Sequence, residues 1–348
     1  MKKLSIFNKI VFFVNIVIAV LTFLGYILPF LAPTFFPFLS VLTLILPLFL
    51  ILNALFFIFW LIQFKRQMLI SGVVLILGIT FITKFYKFSS IDLPHEEQDF
   101  VVMSYNVRLF NIFNWIPNAN VSSEIKSFIN EQNPDILCIQ EYSENANVNL
   151  RVYKHKSIFM QGNQIKSGQA IFSKYKIVNS GNVELPDSES AVIFADILKG
   201  KDTLRVYNIH LQSVKITSDV NEIQENVELI NQNKSKHIAK RISLAFTKQQ
   251  AQSEIIKNHK ASCRYPIIIC GDMNNSAFSY VYRNVKGNLN DAFEEAGKGF
   301  GETYNFKYYP ARIDYILADK SLLIKNFTNF SKFKNSDHYP IITRLSIK

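Results

Sequence analysis

Residues 10–32, IVFFVNIVIAVLTFLGYILPFLA, contain no charged side chain, and two more uncharged apolar runs follow at 38–63 and 68–83. A helix needs about 20 apolar residues to cross the hydrocarbon core of a bilayer. The first two runs reach that length, and the third is on the short side. The first run is longer than the about 7–15 apolar residues of a signal peptide, and no A-x-A-like cleavage site follows it. Residues 1–88 therefore read as a membrane anchor of about three transmembrane helices, 89–99 (SSIDLPHEEQD) as a polar linker, and 100–348 as a separate domain.

The charge pattern agrees with this division. Before residue 90 there are seven Lys or Arg and no Asp or Glu; beyond it the other 31 basic residues face all 27 acidic ones, leaving +4 of the total +11. The overall basicity belongs mostly to the anchor and is weak evidence for nucleic-acid binding. Lys2, Lys3 and Lys9 precede the first run, the loop from Pro33 to Pro37 is uncharged, and Lys65 and Arg66 separate the second run from the third. Positive flanks stay in the cytoplasm. Three spans then place the C-terminal domain outside a bacterial-type inner membrane, although Lys84 and Lys87 count against it. The three cysteines, Cys138, Cys263 and Cys270, form no CxxC pair and no disulfide framework. Cys138 and Cys270 lie in apolar runs and read as buried small hydrophobes.

Beyond residue 100, strand-like runs recur at 100–107, 135–140, 169–173, 190–197, 203–211, 266–271, 312–317 and 339–346. Helical patterns cover 122–131 and 236–259, and 213–237 reads as a flexible or partly helical insertion. No internal repeat is evident. Strands with interspersed helices predict a layered α/β or α+β domain.

Polar residues interrupt these runs at their ends. They are Asn106, Glu141, Asn208, His210, Asp272, Asn274, Asp314, Asp337 and His338. Each alone is more often a turn former or a half-buried structural group, and Asp314 could simply pair with Arg312. If the strand ends converge, several carboxylates share a small volume and repel unless a cation or proton sits between them. Oxygen-rich, sulfur-free ligands suit Mg²⁺ or Mn²⁺. Such a site is apt for phosphoester hydrolysis by activated water. A P-loop, a GxSxG elbow and a zincin motif are all lacking.

The motifs SYNVRLF (104–110), IQE (139–141), SGQAIFSKYKI (167–177), YNIHLQS (207–213), CGDMNN (270–275), RIDYIL (312–317) and SDHYP (336–340) occur in an order that resembles the endonuclease/exonuclease/phosphatase (DNase I-like) superfamily. The resemblance implies a four-layer α/β sandwich of two packed, mostly antiparallel sheets flanked by helices. It also implies roles. Glu141 is the principal metal ligand, with Asn106 and Asp337 at the metal site. Asp272 and Asn274 orient water and a phosphate oxygen, and His338 is held by Asp314. His210 contacts phosphate from the other side. Asn106 and Asn208 are substrate-binding, and Arg108 either contacts phosphate or substrate or pairs with a carboxylate. Arg108 stands where some abasic-site endonucleases have an acid, which disfavours a DNA-repair specialist.

The segment 279–304, beginning Ser279-Tyr280, resembles membrane-attached bacterial members, and Tyr304 is a candidate for the cleft wall. The expected substrate is a phosphoester: nucleic acid, a phospholipid or sphingolipid head group, or a sugar phosphate. A tethered binding protein without turnover is the competing reading. The bilayer is an expected partner, and no obligate protein partner is evident.

Overall fold

The computed structural model describes residues 4–162, 166–185, 190–214, 232–307 and 309–348. They form two compact units. The first contains the described residues of Met1–Phe85, Lys215–Gln250 and Phe278–Arg283; the second holds Tyr86–Val214, Ala251–Ala277 and Asn284–Lys348.

In the first unit, α1 (Ile6–Ile27) is followed by the one-turn α2 (Pro37–Ser40), α3 (Leu42–Ile62), α4 (Met68–Leu77) and α5 (Ile79–Phe85). Two helices, Ile6–Phe30 and Leu42–Ile62, are long and apolar enough to cross a membrane. The third expected span is α4 and α5 bent by 67°. The bend falls at Gly78, where a Cβ would collide with the Tyr26 hydroxyl. The helices turn polar groups toward one another. Asn8 Nδ2 donates to Gln63 Oε1 (3.0 Å), Asn15 Nδ2 to Ser71 Oγ (2.7 Å), Trp60 Nε1 to Asn15 Oδ1 (3.0 Å), and Asn53 Nδ2 to Thr22 Oγ1 (2.8 Å). Asn8, Asn15 and Thr22 are each seven residues apart and share one face of α1. Large apolar side chains such as Phe13, Val20 and Leu55 stay exposed. Polar glue inside and apolar groups outside is the pattern of helices packed in lipid.

The second unit is built on two six-stranded sheets. In chain order the strands are β1 (Phe100–Asn106), β2 (Ile136–Tyr142), β3 (His155–Gln161), β4 (Ser167–Ser173), β5 (Lys176–Val183), β6 (Ala191–Lys199), β7 (Asp202–His210), β8 (Ile267–Asp272), β9 (Asn290–Asp291), β10 (Asp314–Ala318), β11 (Leu322–Asn329) and β12 (Ile341–Ile347). One sheet has the order β11-β12-β1-β2-β4-β3, the other β5-β6-β7-β8-β10-β9. The wiring of the two sheets matches. Each has a hairpin (β11–β12, β5–β6), a parallel pair (β1–β2, β7–β8) and a strand pair added in reversed order. All other pairings are antiparallel, as expected.

Strand alternation sets the layers. Phe100 and Val102 of β1 join Ile136, Cys138, Val206, Ile268, Cys270 and Ile316 in the core between the sheets. Met103 and Tyr105 face the other way, onto Ile125 and Ile129 of α6 (Val121–Gln132). The long helix α7 (Gln232–Ala261) brings His259 to the outward Tyr207 hydroxyl at 2.8 Å. These make the four layers. Cys138 and Cys270 are buried as expected, and Cys263 is partly exposed.

Most of 213–237 lies outside the described residues, and its last described part is the start of α7. The polar stretch 89–99 is held by ion pairs. Buried Asp99 pairs with Lys325 at 2.9 Å and Arg344 at 3.5 Å, while Glu96 meets Lys325 at 2.8 Å. Charges taken out of water need such partners, and the linker supplies them.

Candidate active site

The two parallel pairs end at the same rim. Asn106 closes β1 opposite Gln140 of β2, and His210 closes β7 opposite Asp272 of β8. Across the sheets, Asn106 Nδ2 donates to Asp272 Oδ2 at 3.2 Å and lies 3.4 Å from Glu141 Oε1. His210 Nε2 is 3.7 Å from both Glu141 Oε1 and Asp272 Oδ2.

Glu141 reaches this place through a bulge. The β2–β4 register shifts between Gln140 and Tyr142, and Glu141 has φ +49°. Plain alternation would put Glu141 on the same face as Ile139, in the α6 layer. An extra residue in one strand re-aims a side chain, here toward Asn106. Left-handed backbone at a Glu costs about 1–3 kcal/mol. The same rim carries Asn274 at φ +49° and four successive left-handed residues, Arg108 to Asn111. Gly271, at φ +136°, has no alternative: a Cβ there would collide with the Ile209 carbonyl oxygen.

Opposite Glu141 lies a buried relay. His338 Nδ1 is 2.9 Å from Asp314 Oδ2, and its Nε2 is 3.6 Å from Asp272 Oδ2. Asp314 is fixed by β10 beside Asp272 and by Thr303, whose Oγ1 accepts the amide hydrogens of Ile313 and Asp314 at 3.0 Å each. Ser336 Oγ donates to Asn106 O (2.9 Å) and accepts from His338 N (3.2 Å), clasping the loop to β1. The Tyr304 ring stands edge-on to His338 at 4.9 Å. Thr303 and Ser336 carry no sequence signal beyond the motif around Ser336.

Burial raises the Asp272 carboxyl, His338 pulls it down, Asp314 raises it, and His210 and the Asn274 amide pull it down, for a net pKa of about 6. Burial opposes protonation of His338, but the Asp314 and Asp272 carboxylates outweigh it, and the imidazole titrates well above its usual range.

The remaining expected residues have the following surroundings. Asn208 is fully buried. Its Oδ1 accepts from Gln140 Nε2 (2.6 Å) and its Nδ2 donates to Ile139 O (2.8 Å) and Ala170 O (3.0 Å), tying the two sheets together. Asn106 turns its NH₂ to the carboxylates, and its oxygen accepts from Arg108 N at 3.1 Å. Asp337 lies 3.4 Å from Arg108 Nε. Arg108 also sits over the Trp115 ring at 4.6 Å. Asn274 donates its backbone N–H to Asp272 Oδ1 (2.7 Å) and its side chain to Leu211 O (3.1 Å). Arg312 pairs with Asp291 at 2.6 Å, which leaves Asp314 to His338.

Among the described residues, Asp272, Asp314 and His338 present ligand atoms within 4.8 Å of one another. Asp314 and His338 are bonded to each other, so this trio has the arrangement of a proton relay. Glu141 fits a hard cation better. Its side chain is 32% exposed at the rim, and Mg²⁺ typically takes one or two carboxylates and fills its remaining positions with water and substrate phosphate.

With this fold and rim in view, the comparisons are consistent. Residues 103–338 match the Endonuclease/Exonuclease/phosphatase family, and the chain belongs to it. Its members are phosphoester hydrolases, and the fold typically binds a divalent metal. Residues 8–85 match a domain of unknown function. No curated protein sequence matches the chain. Among solved structures, a humanized D. rerio TDP2 is 15% identical, with TM-score 0.53 over 72% of this chain and 100% of that one. The human Nocturnin catalytic domain with bound sulfate is 18% identical, with TM-score 0.52 over 74% and 96%. A mannosyl-6-phosphatase of Bacteroides thetaiotaomicron is 16% identical, with TM-score 0.50 over 72% and 100%. At these identities the likeness concerns the fold.

Proposed function

We propose that this protein is a membrane-tethered, Mg²⁺- or Mn²⁺-dependent phosphoester hydrolase, with its catalytic unit outside the cytoplasm. The observation that carries the reading is the Asp314–His338–Asp272 relay placed across a narrow rim from Glu141 and His210. In this reading the phosphoryl group sits between them. Asp272 orients the attacking water and takes its proton. His338, oriented and kept protonated by Asp314, directs its Nε2–H at a phosphate oxygen and stabilises the charge that develops there. His210 contacts the phosphate from the opposite side, and Arg108 reaches the substrate from the loop after β1. Glu141 would hold the cation, which when bound neutralises phosphate charge. Nucleic acid, lipid head groups and sugar phosphates share this chemistry. The apolar helices favour a substrate met at the membrane.

The test uses the full chain in detergent micelles, with bis(p-nitrophenyl) phosphate and p-nitrophenyl phosphate as diester and monoester probes. Hydrolysis should require Mg²⁺ or Mn²⁺, stop with chelator and fall at least about 10²-fold in Asp272→Ala and His338→Ala. Metal-independent turnover, or full activity in both variants, sinks the proposal. A reporter fused at the C-terminus that is active in the cytoplasm would overturn the outward placement.

A further inference from the structure

The first unit is more than the N-terminal helices, because α7 up to Gln250 belongs to it. This stretch, QNKSKHIAKRISLAFTKQQ, has five Lys or Arg and no acid; the first acid is Glu254, beyond its end. One face carries Ile242, Ala245, Phe246 and Gln249, all buried. The opposite face exposes Lys236, Lys240, Leu244 and Lys248, each four residues from the last. Leu244 is 56% exposed between lysines. A leucine flanked by long cationic stems fits the boundary of a bilayer: the leucine enters the acyl region while the lysines reach the head groups.

The helix is also tied to the right level. Gln250 Oε1 accepts from both the backbone N–H (2.9 Å) and the hydroxyl of Thr34. Thr34 lies in the short connection between the two long apolar helices. If those helices span a membrane, this connection lies at its surface, and so does Gln250. Two further cations of the unit sit with the same end of the helices. The Arg283 guanidinium lies over Phe30 at 4.3 Å, and Lys84 Nζ lies over Tyr282 at 5.4 Å.

We infer that residues 236–248 form an interfacial helix that binds anionic phospholipid head groups through Lys236, Lys240 and Lys248, with Leu244 inserted between them. The inference rests on the reading of the apolar helices as spans. A juxtamembrane Lys contributes through the surface potential of anionic lipid and loses that contribution in salt.

The experiment is hydrogen exchange on the full chain in nanodiscs of phosphatidylcholine alone or with phosphatidylglycerol. Amides of 236–250 should exchange about tenfold more slowly with phosphatidylglycerol present, and the difference should vanish in high salt and in K236Q/K240Q/K248Q. Leu244→Ser should reduce the protection in both lipids. Equal exchange in the two lipids, or a charge-neutral variant protected like the parent, overturns the inference while leaving the spans intact. Failure of the parent to enter nanodiscs would instead remove the spanning reading beneath it.

Discussion

His338 Nδ1 and Asp314 Oδ2 lie 2.9 Å apart in a site where both side chains are almost entirely buried. The contact fixes which imidazole nitrogen faces Asp272, and it adds a negative charge that keeps the ring protonated. Asp314→Asn keeps the shape and removes the charge. The His338 pKa, now well above its usual range, should fall. If the protonated ring assists the phosphate, the alkaline limb of the rate profile moves to lower pH, and kcat drops by about 10²–10⁴-fold. A pH–rate profile of parent and variant, with NMR titration of the ring, checks both. An unmoved limb argues that Asp314 only packs the site.

Asp272 gives a stability prediction of opposite character to a salt-bridged carboxylate. Its folded pKa of about 6 lies above the ordinary value of 3.8. Between those two pH values the folded state binds more protons than the unfolded state, so stability falls as pH rises from about 4 to 6. Above pH 6 the loss is complete, on the order of 3 kcal/mol. In chelator at pH 7, Asp272→Asn should therefore unfold at a higher temperature than the parent, and near pH 4 the gap should close. A variant that is less stable at pH 7 would mean that the Asp272 carboxylate is held in the fold more favourably than a folded pKa of about 6 implies.

The central strands of the fold are legible in the sequence because both faces are buried. The runs at 100–107, 135–140, 169–173, 190–197, 203–211, 266–271, 312–317 and 339–346 correspond to the inner strands of the two sheets. The strands that escape reading are β3, β5, β9 and β11, which are the four sheet edges. HKSIFMQ and KIVNSGNV are half polar because one side of an edge strand meets water and Lys discourages pairing with other chains; β9 is two residues long. The matched wiring of the two sheets leaves no sequence repeat, since it is preserved in backbone pairing and not in side chains. At the site, the motif residues do converge. What alternation cannot give is the direction of Glu141, which depends on one bulge. The extension of the first unit to α7 was hidden for a different reason: its polar, charged face reads as an ordinary surface helix.

Asn208 joins the sheets beneath the site. Replacing it with Leu removes the acceptor of Gln140 Nε2 and the donor to Ile139 O and Ala170 O in a fully buried layer. Unsatisfied buried polar groups cost about 1–3 kcal/mol each. Asn208→Leu should lower stability by about 3 kcal/mol or more, measured by thermal unfolding, and should reduce activity through loss of fold rather than through KM. A variant with parental stability and a selectively raised KM would assign Asn208 to substrate binding.

Asn15 offers the corresponding test in the first unit. Its amide gives a hydrogen bond to Ser71 Oγ at 2.7 Å and its oxygen accepts one from Trp60 Nε1 at 3.0 Å, so a single side chain links three helices. Asn15→Leu would raise the apolarity of α1 and insert no worse, yet leave the indole N–H and the Ser71 hydroxyl without this partner. Interhelical hydrogen bonds in lipid contribute about 0.6–2 kcal/mol each. The variant should therefore enter membranes normally while its helices separate more readily in detergent. Cysteine pairs placed across α1 and α4 would report this as slower or lost crosslinking. Unchanged crosslinking would assign the stability of the bundle to close packing at Ala19 and Gly25, where a Cβ on Gly25 would come within 2.7 Å of Leu46 Cδ1.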